Sequence, residues 1–417
     1  MDLKPKINQK LHKLIKKGVD IPLPQTVYIH DDVNVDQISG KDVKIYPGCR
    51  IYGSKTVISS ACKLGYEAPV TIEDCQLAQE VELKGGFFSK SVFLEKSNMG
   101  MGAHVREGCL LEEEASGAHC VGLKQTILFP FVTLGSLVNF CDCLMAGGTS
   151  RQNHSEVGSS YIHFNFTPNG DKATPSLIGD VPRGVMLDQP PIFLGGQGGI
   201  IGPVRLGYGN VVAAGSILKK DYPQDNQLIF DMPQFRGFMS FKPAAYPNLK
   251  RLLENNILYL ANIKALEAWY EKIREPFFEV QEFGSFIYDG ASDRLTCAGE
   301  ERLKRLRAMA QKAVDQSPQK LKSTAMKQRQ ALLENTGKIE EILSRKICDT
   351  KMNKAEETFL RNFEHFCNKE PKSYIETIQM LPPSISAKGV QWLQEIVNYY
   401  CQRISTVIPS FGLFRSK

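Results

Sequence analysis

Aliphatic residues recur every six positions at Leu194, Ile200, Leu206, Val212 and Leu218, followed by a small residue at Gly195, Gly207 and Ala213. On an α-helix that step turns each residue by about 240° and smears the series round the axis. In a three-sided parallel coil the same step returns each residue to one inward position, so a hexad is a face and three hexads are a turn. The spacing starts early, at Ile45, Ile51 and Val57. It resumes after one-residue slips at Leu64 and Val70, then at Leu77 and Leu83. Pro47-Gly48 and Gly53-Ser54 fall between these positions, where tight corners need small or φ-tolerant residues.

From Met99 to Val157 the rhythm is carried by Gly100, Gly102, Gly108, Gly117, Gly122 and Gly135, and it fails between Gly147 and Pro191. Insertions into solenoids carry function, which makes 147–191 the candidate functional stretch. After Tyr222 the prolines at 223, 233, 243 and 247 break the chain. Leu252, Leu253, Ile257, Leu260, Ile263, Leu266 and Ile273 then follow helical spacing, with further helices predicted over 299–313, 318–346, 353–368 and 386–406. The expected organisation is a helical lead-in (1–25), a parallel β-helix (26–222), a connector (223–247) and an α-helical domain (248–417). Partner binding or covering a solenoid end is a natural use for the helices.

A length of 417 residues suits two or three such units, and 34 glycines suit a turn-rich solenoid. Lys and Arg exceed Asp and Glu by only 51 to 45, too little to argue for nucleic acid but compatible with an anionic substrate. Lys4, Lys6, Lys10, Lys13, Lys16 and Lys17 crowd the lead-in with Leu11, Leu14 and Ile15, reading as an amphipathic helix with a solvated face. Neither a signal peptide nor a spanning helix is predicted, so a cytoplasmic location is expected. The 11 cysteines lack zinc-like spacing and read as reduced thiols.

A coil of aliphatics and glycines holds no catalyst, so chemistry is sought where polar residues interrupt it. They gather in Gly147–Glu156, Tyr161–Phe166 and Thr167–Lys172. A proton-transfer step needs a base within reach of the reacting group. The bases in this stretch are His154, flanked by Asn153 and Glu156, and His163, which shares a strand face with Tyr161 and Asn165. Arg151 and Lys172 are candidate ligands for an anionic substrate, with Asn153, Tyr161, Asn165 and Asn169 as further candidate substrate contacts. His104 and His119, each in Gly-Ala-His, repeat a corner position and read as structural. No histidine set has metal-site spacing, so no metal is expected.

Ser176-Leu177-Ile178-Gly179 and FLGGQGGIIGPVRLGYGNVVAAGSILKKD from Phe193 to Asp221 resemble the C-terminal half of the bacterial bifunctional N-acetylglucosamine-1-phosphate uridylyltransferase / glucosamine-1-phosphate acetyltransferase family. The resemblance covers roughly half the chain. It implies a left-handed parallel β-helix, a homotrimer and acetyl-CoA, or another acyl-CoA, between neighbouring coils. Within VVAAGSIL the family's IAAGT motif carries over to Ala213 and Ala214 as cofactor contacts, and Lys219 and Lys220 follow where basic side chains would meet coenzyme A phosphates. The family's base histidine aligns with Gly148 or Phe140, depending on the anchor, and its NYDG motif stands here as Thr167-Pro168-Asn169-Gly170. No room for the nucleotidyltransferase half is found in residues 1–25, so uridylyl transfer is not expected.

Gly195-Gly196-Gln197-Gly198-Gly199 is neither GxGxxG before a helix nor a phosphate loop with GK[ST], and it reads as close coil packing. Two functions compete. One is an acyl-CoA-dependent transferase acting on, or binding, an amino-sugar phosphate or nucleotide sugar, with His154 or His163 as base. The other is a β-helix binding or scaffold protein that has lost the family's base.

Overall fold

The computed structural model describes residues 9–164, 174–231, 237, 249–315, 323–344, 354–367 and 373–414. Short parallel strands build a left-handed β-helix with three sheets of ten, eight and ten strands. Each coil visits face A (Lys44–Ile45 through Leu228–Ile229), face B (Tyr28–Ile29 through Ile217–Leu218) and face C (Val57–Ile58 through Arg205–Leu206) in turn. Ile45, Leu64 and Leu83 stack inward on face A, and Leu194 and Val212 continue that column near the other end.

One detail of the hexad reading shifts. The inward residue of the first face-C strand is Ile58, paired with Leu77, whereas Val57 pairs with Gln76 and points outward with it. The one-residue slip falls before this strand, not after it.

The lead-in forms α1 (Gln9–Lys17) against the first coil, with Leu11 and Leu14 buried. Its lysines complete the open coil: Lys10 Nζ donates to the carbonyls of His30, Asp31 and Val33, and Lys17 Nζ to those of Val35, Asp36 and Ile38. They satisfy backbone oxygens that no further coil pairs among the described residues.

Helices α3 (Leu249–Trp269), α4 (Glu275–Glu279), α5 (Gly284–Asp315), α6 (Ser323–Ser344), α7 (Lys354–Cys367), α8 (Tyr374–Gln379) and α9 (Pro383–Val407) follow. Trp269, Phe359 and Trp392 stack in their interior at 5.7–6.4 Å. The helices lie along the side of the solenoid, on face C, instead of over its end. Outward residues of that face, Val92, Leu110, Ile127 and Leu144, are therefore as buried as the inward ones. Helix α5 begins well before the predicted residue 299. Gly290 lies in its early half, and a Cβ there would meet the Gln76 side chain at 2.4 Å, so contact with face C sets a position that helix propensity disfavours.

A single turn of π-helix, Tyr270–Arg274, joins α3 to α4 and fastens the helices to the solenoid. Tyr270 donates its hydroxyl to Glu112 Oε1 (2.5 Å), and Arg274 holds Glu113 through two nitrogens at 2.6 and 3.1 Å. The guanidinium also lies 3.7 Å from the Tyr374 ring centroid. All of these side chains are buried. Burial pushes Glu112 up from 4.5 to about 7; Arg274 opposes the rise and Glu113 adds to it. A carboxyl raised in this way contributes most below its unfolded value, and the contribution is lost as pH rises from there through the folded one. Stability should thus fall as pH rises from the ordinary carboxyl range through the raised value of this group. Urea titrations across that range should show the slope in the natural chain and a flattened one in Glu112→Gln; equal slopes would remove Glu112 from the account.

Candidate functional site

The polar stretch is not one loop. Its described residues belong to three excursions, placed at the two corners that flank face C. The first, between Cys143–Met145 and Glu156–Val157, is a hairpin of Gly148–Ser150 against Asn153–His154 at the C/A corner. The second lies between Tyr161–Ile162 and Ser176–Ile178 at the B/C corner. The third, at the C/A corner again, carries the short helix α2 (Val181–Gly184). Each is tied to the helices. Gln379 Nε2 donates to Thr149 O, Asn262 Oδ1 accepts from Val181 N, and buried Arg302 bonds Thr174 Oγ1 and Asp142 Oδ1 at the root of the second excursion.

His154 is half-buried on the hairpin, with Nδ1 2.8 Å from the carbonyl oxygen of Arg151. A carbonyl only accepts, so Nδ1 is the donor, which in the neutral ring places the lone pair on Nε2. The sequence offered Asn153 and Glu156 for orienting the ring; a backbone group does so instead. Arg151 Nη1 reaches back to Glu114 O, Phe131 O and Thr133 Oγ1, pinning the hairpin to the two coils before it. Asn153 is exposed and bonds Thr149 Oγ1.

His163 is differently placed. It is 1% exposed, adopts φ 62°, and sets Nε2 2.7 Å from Ser176 Oγ and Nδ1 3.9 Å from Cys143 Sγ. Burial raises the Cys143 thiol well above its usual range, and Cys62, Cys75 and Cys109 are pushed up to about 12 for the same reason, so these thiols are core side chains and not nucleophiles. Tyr161 is 62% exposed on face B, level with Asn139 and Gly199. Asn165, Asn169 and Lys172 lie outside the described residues.

The predicted cofactor residues sit at two corners of one coil. Ala213 and Ala214 form the A/B corner after Val211–Val212. Lys219 and Lys220 are exposed at the B/C corner after Ile217–Leu218. Register places Lys219 two coils beyond His163, roughly 10 Å along the axis. Within one chain, therefore, His154, the alanine pair and the lysine pair stand at three different corners.

The A/B corner is smooth. A Cβ on Gly195 would come 2.4 Å from Ala214 N, and one on Gly158 would come 2.6 Å from Gly196 N, so consecutive corners touch backbone to backbone. Gly195→Ala should cost about 1–3 kcal/mol through this overlap. The check is a lower urea midpoint at an unchanged slope; an unshifted midpoint would mean that the corner yields.

Beside this corner runs a feature the sequence reading missed. Phe193, Val211 and Leu228 stack in register on the outside of face A and are 38%, 42% and 62% exposed, with Phe230 next to them at 67%. Tyr66, Met101 and Leu137 are also exposed on the A/B corner. The signal was an apolar residue one position before each inward Leu194, Val212 and Ile229. Among the described residues no three His, Cys, Asp or Glu side chains gather to hold a metal ion, and no helix is long and apolar enough to cross a membrane.

No family model matches the chain. It is similar to proteins named "Bifunctional protein GlmU". The one from Thermotoga maritima is 28% identical over 216 residues, 52% of this chain and 43% of the relative. That from Trichlorobacter lovleyi is 29% identical over 223 residues, covering 53% and 43%. That from Fervidobacterium nodosum is 29% identical over 215 residues, covering 52% and 42%. The chain spans less than half the length of these curated relatives, and the matched stretch is about as long as the solenoid.

Proposed function

We propose that the chain is a hexapeptide-repeat acyltransferase that assembles as a homotrimer and transfers an acyl group from coenzyme A to an amino-sugar phosphate or nucleotide sugar. The observation that carries this reading is the likeness of the solenoid to the bifunctional relatives, joined to a corner and face left apolar and uncovered.

Self-association follows from which surfaces remain open. Helices cover face C, and polar excursions crowd both corners beside it. Among the described residues, the A/B corner alone is flanked by two faces that the helices leave open, and it bears Tyr66, Met101 and Leu137. A cyclic trimer turns this corner to its axis and sets face A of one copy beside face B of the next. The mouth of each cleft then brings the C/A corner of one copy, with His154, against the B/C corner of its neighbour, with Lys219 and Lys220. Groups that one chain keeps apart meet between two.

In that cleft Lys219 and Lys220 hold the coenzyme phosphates and the Ala213–Ala214 backbone lines the inner end. His154 Nε2 takes the proton from the acceptor as it attacks the thioester carbonyl. The thiolate of coenzyme A leaves and receives the proton. Arg151 positions the hairpin that carries the base. His163, enclosed with Ser176, supports the root of the second excursion.

The test is mass spectrometry of amino-sugar phosphates incubated with acetyl-CoA and longer acyl-CoAs. Transfer is expected from the natural chain and His163→Asn, and a loss of about 100-fold or more from His154→Ala. Unchanged turnover in His154→Ala would remove it as the base. A second reading, a binding protein without turnover, is favoured by Gly148 and Phe140 at the positions aligned with the relatives' base. Calorimetric binding of UDP-N-acetylglucosamine with no acyl transfer from any donor would establish it over the first.

A further inference from the structure

A cavity of about 860 Å³ opens in the helical region, with residues of the π-turn in its wall. Its floor is apolar, formed by Leu295, Leu360, Trp392 and Tyr400. Its rim carries Glu267, Glu271, Glu275, Asp289, Asp293 and Glu356 against only Lys264 and Lys272. Lys264 pairs with Glu267 at 2.7 Å, Lys272 with Glu271 at 3.1 Å, and Lys55 of the solenoid with Asp293 at 3.3 Å. Among the described residues, Glu275, Asp289 and Glu356 have no cationic side chain within ion-pair distance.

The local field agrees with that count. Glu356 is held above the usual carboxyl range by burial, against Lys272, with Glu271 and Glu357 adding to the rise. Tyr288 is raised by burial and by Glu275. The cavity wall is itself unusual: Tyr270 belongs to the π-turn, a rare geometry frequent at functional sites, and the same side chain latches the helices to the solenoid.

We propose that this cavity docks a short basic peptide segment of a partner protein, with one large apolar side chain on the Trp392–Tyr400 floor and flanking Lys or Arg on Glu275, Asp289 and Glu356. Charge complementarity and dimensions select this occupant. The three free carboxylates come from separate helices, α4, α5 and α7, so they can meet successive cations along a chain. The volume is that of a full ligand site, large enough for an anchor and its neighbours. An acidic or neutral segment would leave the rim carboxylates facing an unpaired surface.

The full chain is titrated with two synthetic octapeptide pools. Both have a central tryptophan or leucine; one is flanked by Lys and Arg, the other by Glu and Asp. The basic pool should bind, weaken about tenfold or more in Glu275→Gln/Asp289→Asn/Glu356→Gln, and weaken again at about 0.5 M salt. Leu360→Trp, which fills the floor, should weaken it without altering rim charge. Because the three carboxylates lie on the rim, far-UV circular dichroism should be unchanged in the triple variant. Equal binding of the two pools, no binding of either, or basic-pool affinity indifferent to both variants would overturn the proposal. Displacement of the bound pool by spermine at equal affinity would also overturn it, because a bare polycation would then suffice without the apolar anchor.

Discussion

Arg274→Met is expected to lower the stability of the chain by about 3–5 kcal/mol, the largest loss of any single substitution considered. The guanidinium is 1% exposed, donates two hydrogen bonds to Glu113 and stacks against Tyr374. Methionine fills much of the volume but leaves the Glu113 carboxylate buried without its counter-charge, beside Glu112. Desolvating a pair is expensive even when it is well made, so the pair itself contributes little net energy while the broken pair costs a great deal. Two readouts separate this from a general packing defect. Limited proteolysis should cut first in the helical region, since its latch to face C is what fails. Adding Glu113→Leu to Arg274→Met should restore more than half of the lost stability; a double variant no better than the single one would assign the loss to packing around Tyr374 instead.

Val211→Glu with Leu228→Glu should convert the proposed trimer to monomers in sedimentation velocity, weakening association by about 100-fold or more. Both side chains already face solvent in the single chain, so the solenoid itself should keep its far-UV spectrum and its urea midpoint. In an assembly the same carboxylates would be trapped between copies with nothing to pair with. Acetyl-CoA affinity should fall along with assembly, since the proposed cleft needs two copies. A trimer that survives both glutamates, or a natural chain that sediments as a monomer, would dismiss face A as the contact.

How much of this was readable in the residues depends on how local each signal is. The early coils of face A were legible because one inward aliphatic follows a polar neighbour, as at Lys44-Ile45 and Lys63-Leu64. Face C wrote a different pattern, consecutive apolar pairs such as Val92-Phe93, Leu110-Leu111, Ile127-Leu128 and Leu144-Met145, which is what a strand covered on both sides requires. The outward members of those pairs are the residues that the helices cover along the solenoid's side. The slip at Val57-Ile58 has the same origin, since either residue satisfies a hexad when both are buried.

The latch was not legible, because Glu113 and Arg274 stand 161 positions apart and nothing in either neighbourhood names the other. Of the site, the sequence picked out the polar stretch and both histidines but could not distinguish their environments. The turn after Ile162 encloses His163, whereas the hairpin leaves His154 half-buried with its tautomer set by the Arg151 carbonyl. Neither follows from residue identity. The separation of His154, Ala213 and Lys219 onto three corners is likewise a property of where each falls in a coil.

That separation makes the central claim testable by subunit mixing. If one copy supplies His154 and its neighbour supplies Lys219 and Lys220, then His154→Ala and Lys219→Glu/Lys220→Glu should each be inactive alone. Co-refolded in equal amounts, the two should recover roughly a quarter of the natural acyl-transfer rate, because random mixing rebuilds about that share of intact clefts. Mixtures as inactive as either parent would contradict a site shared between copies.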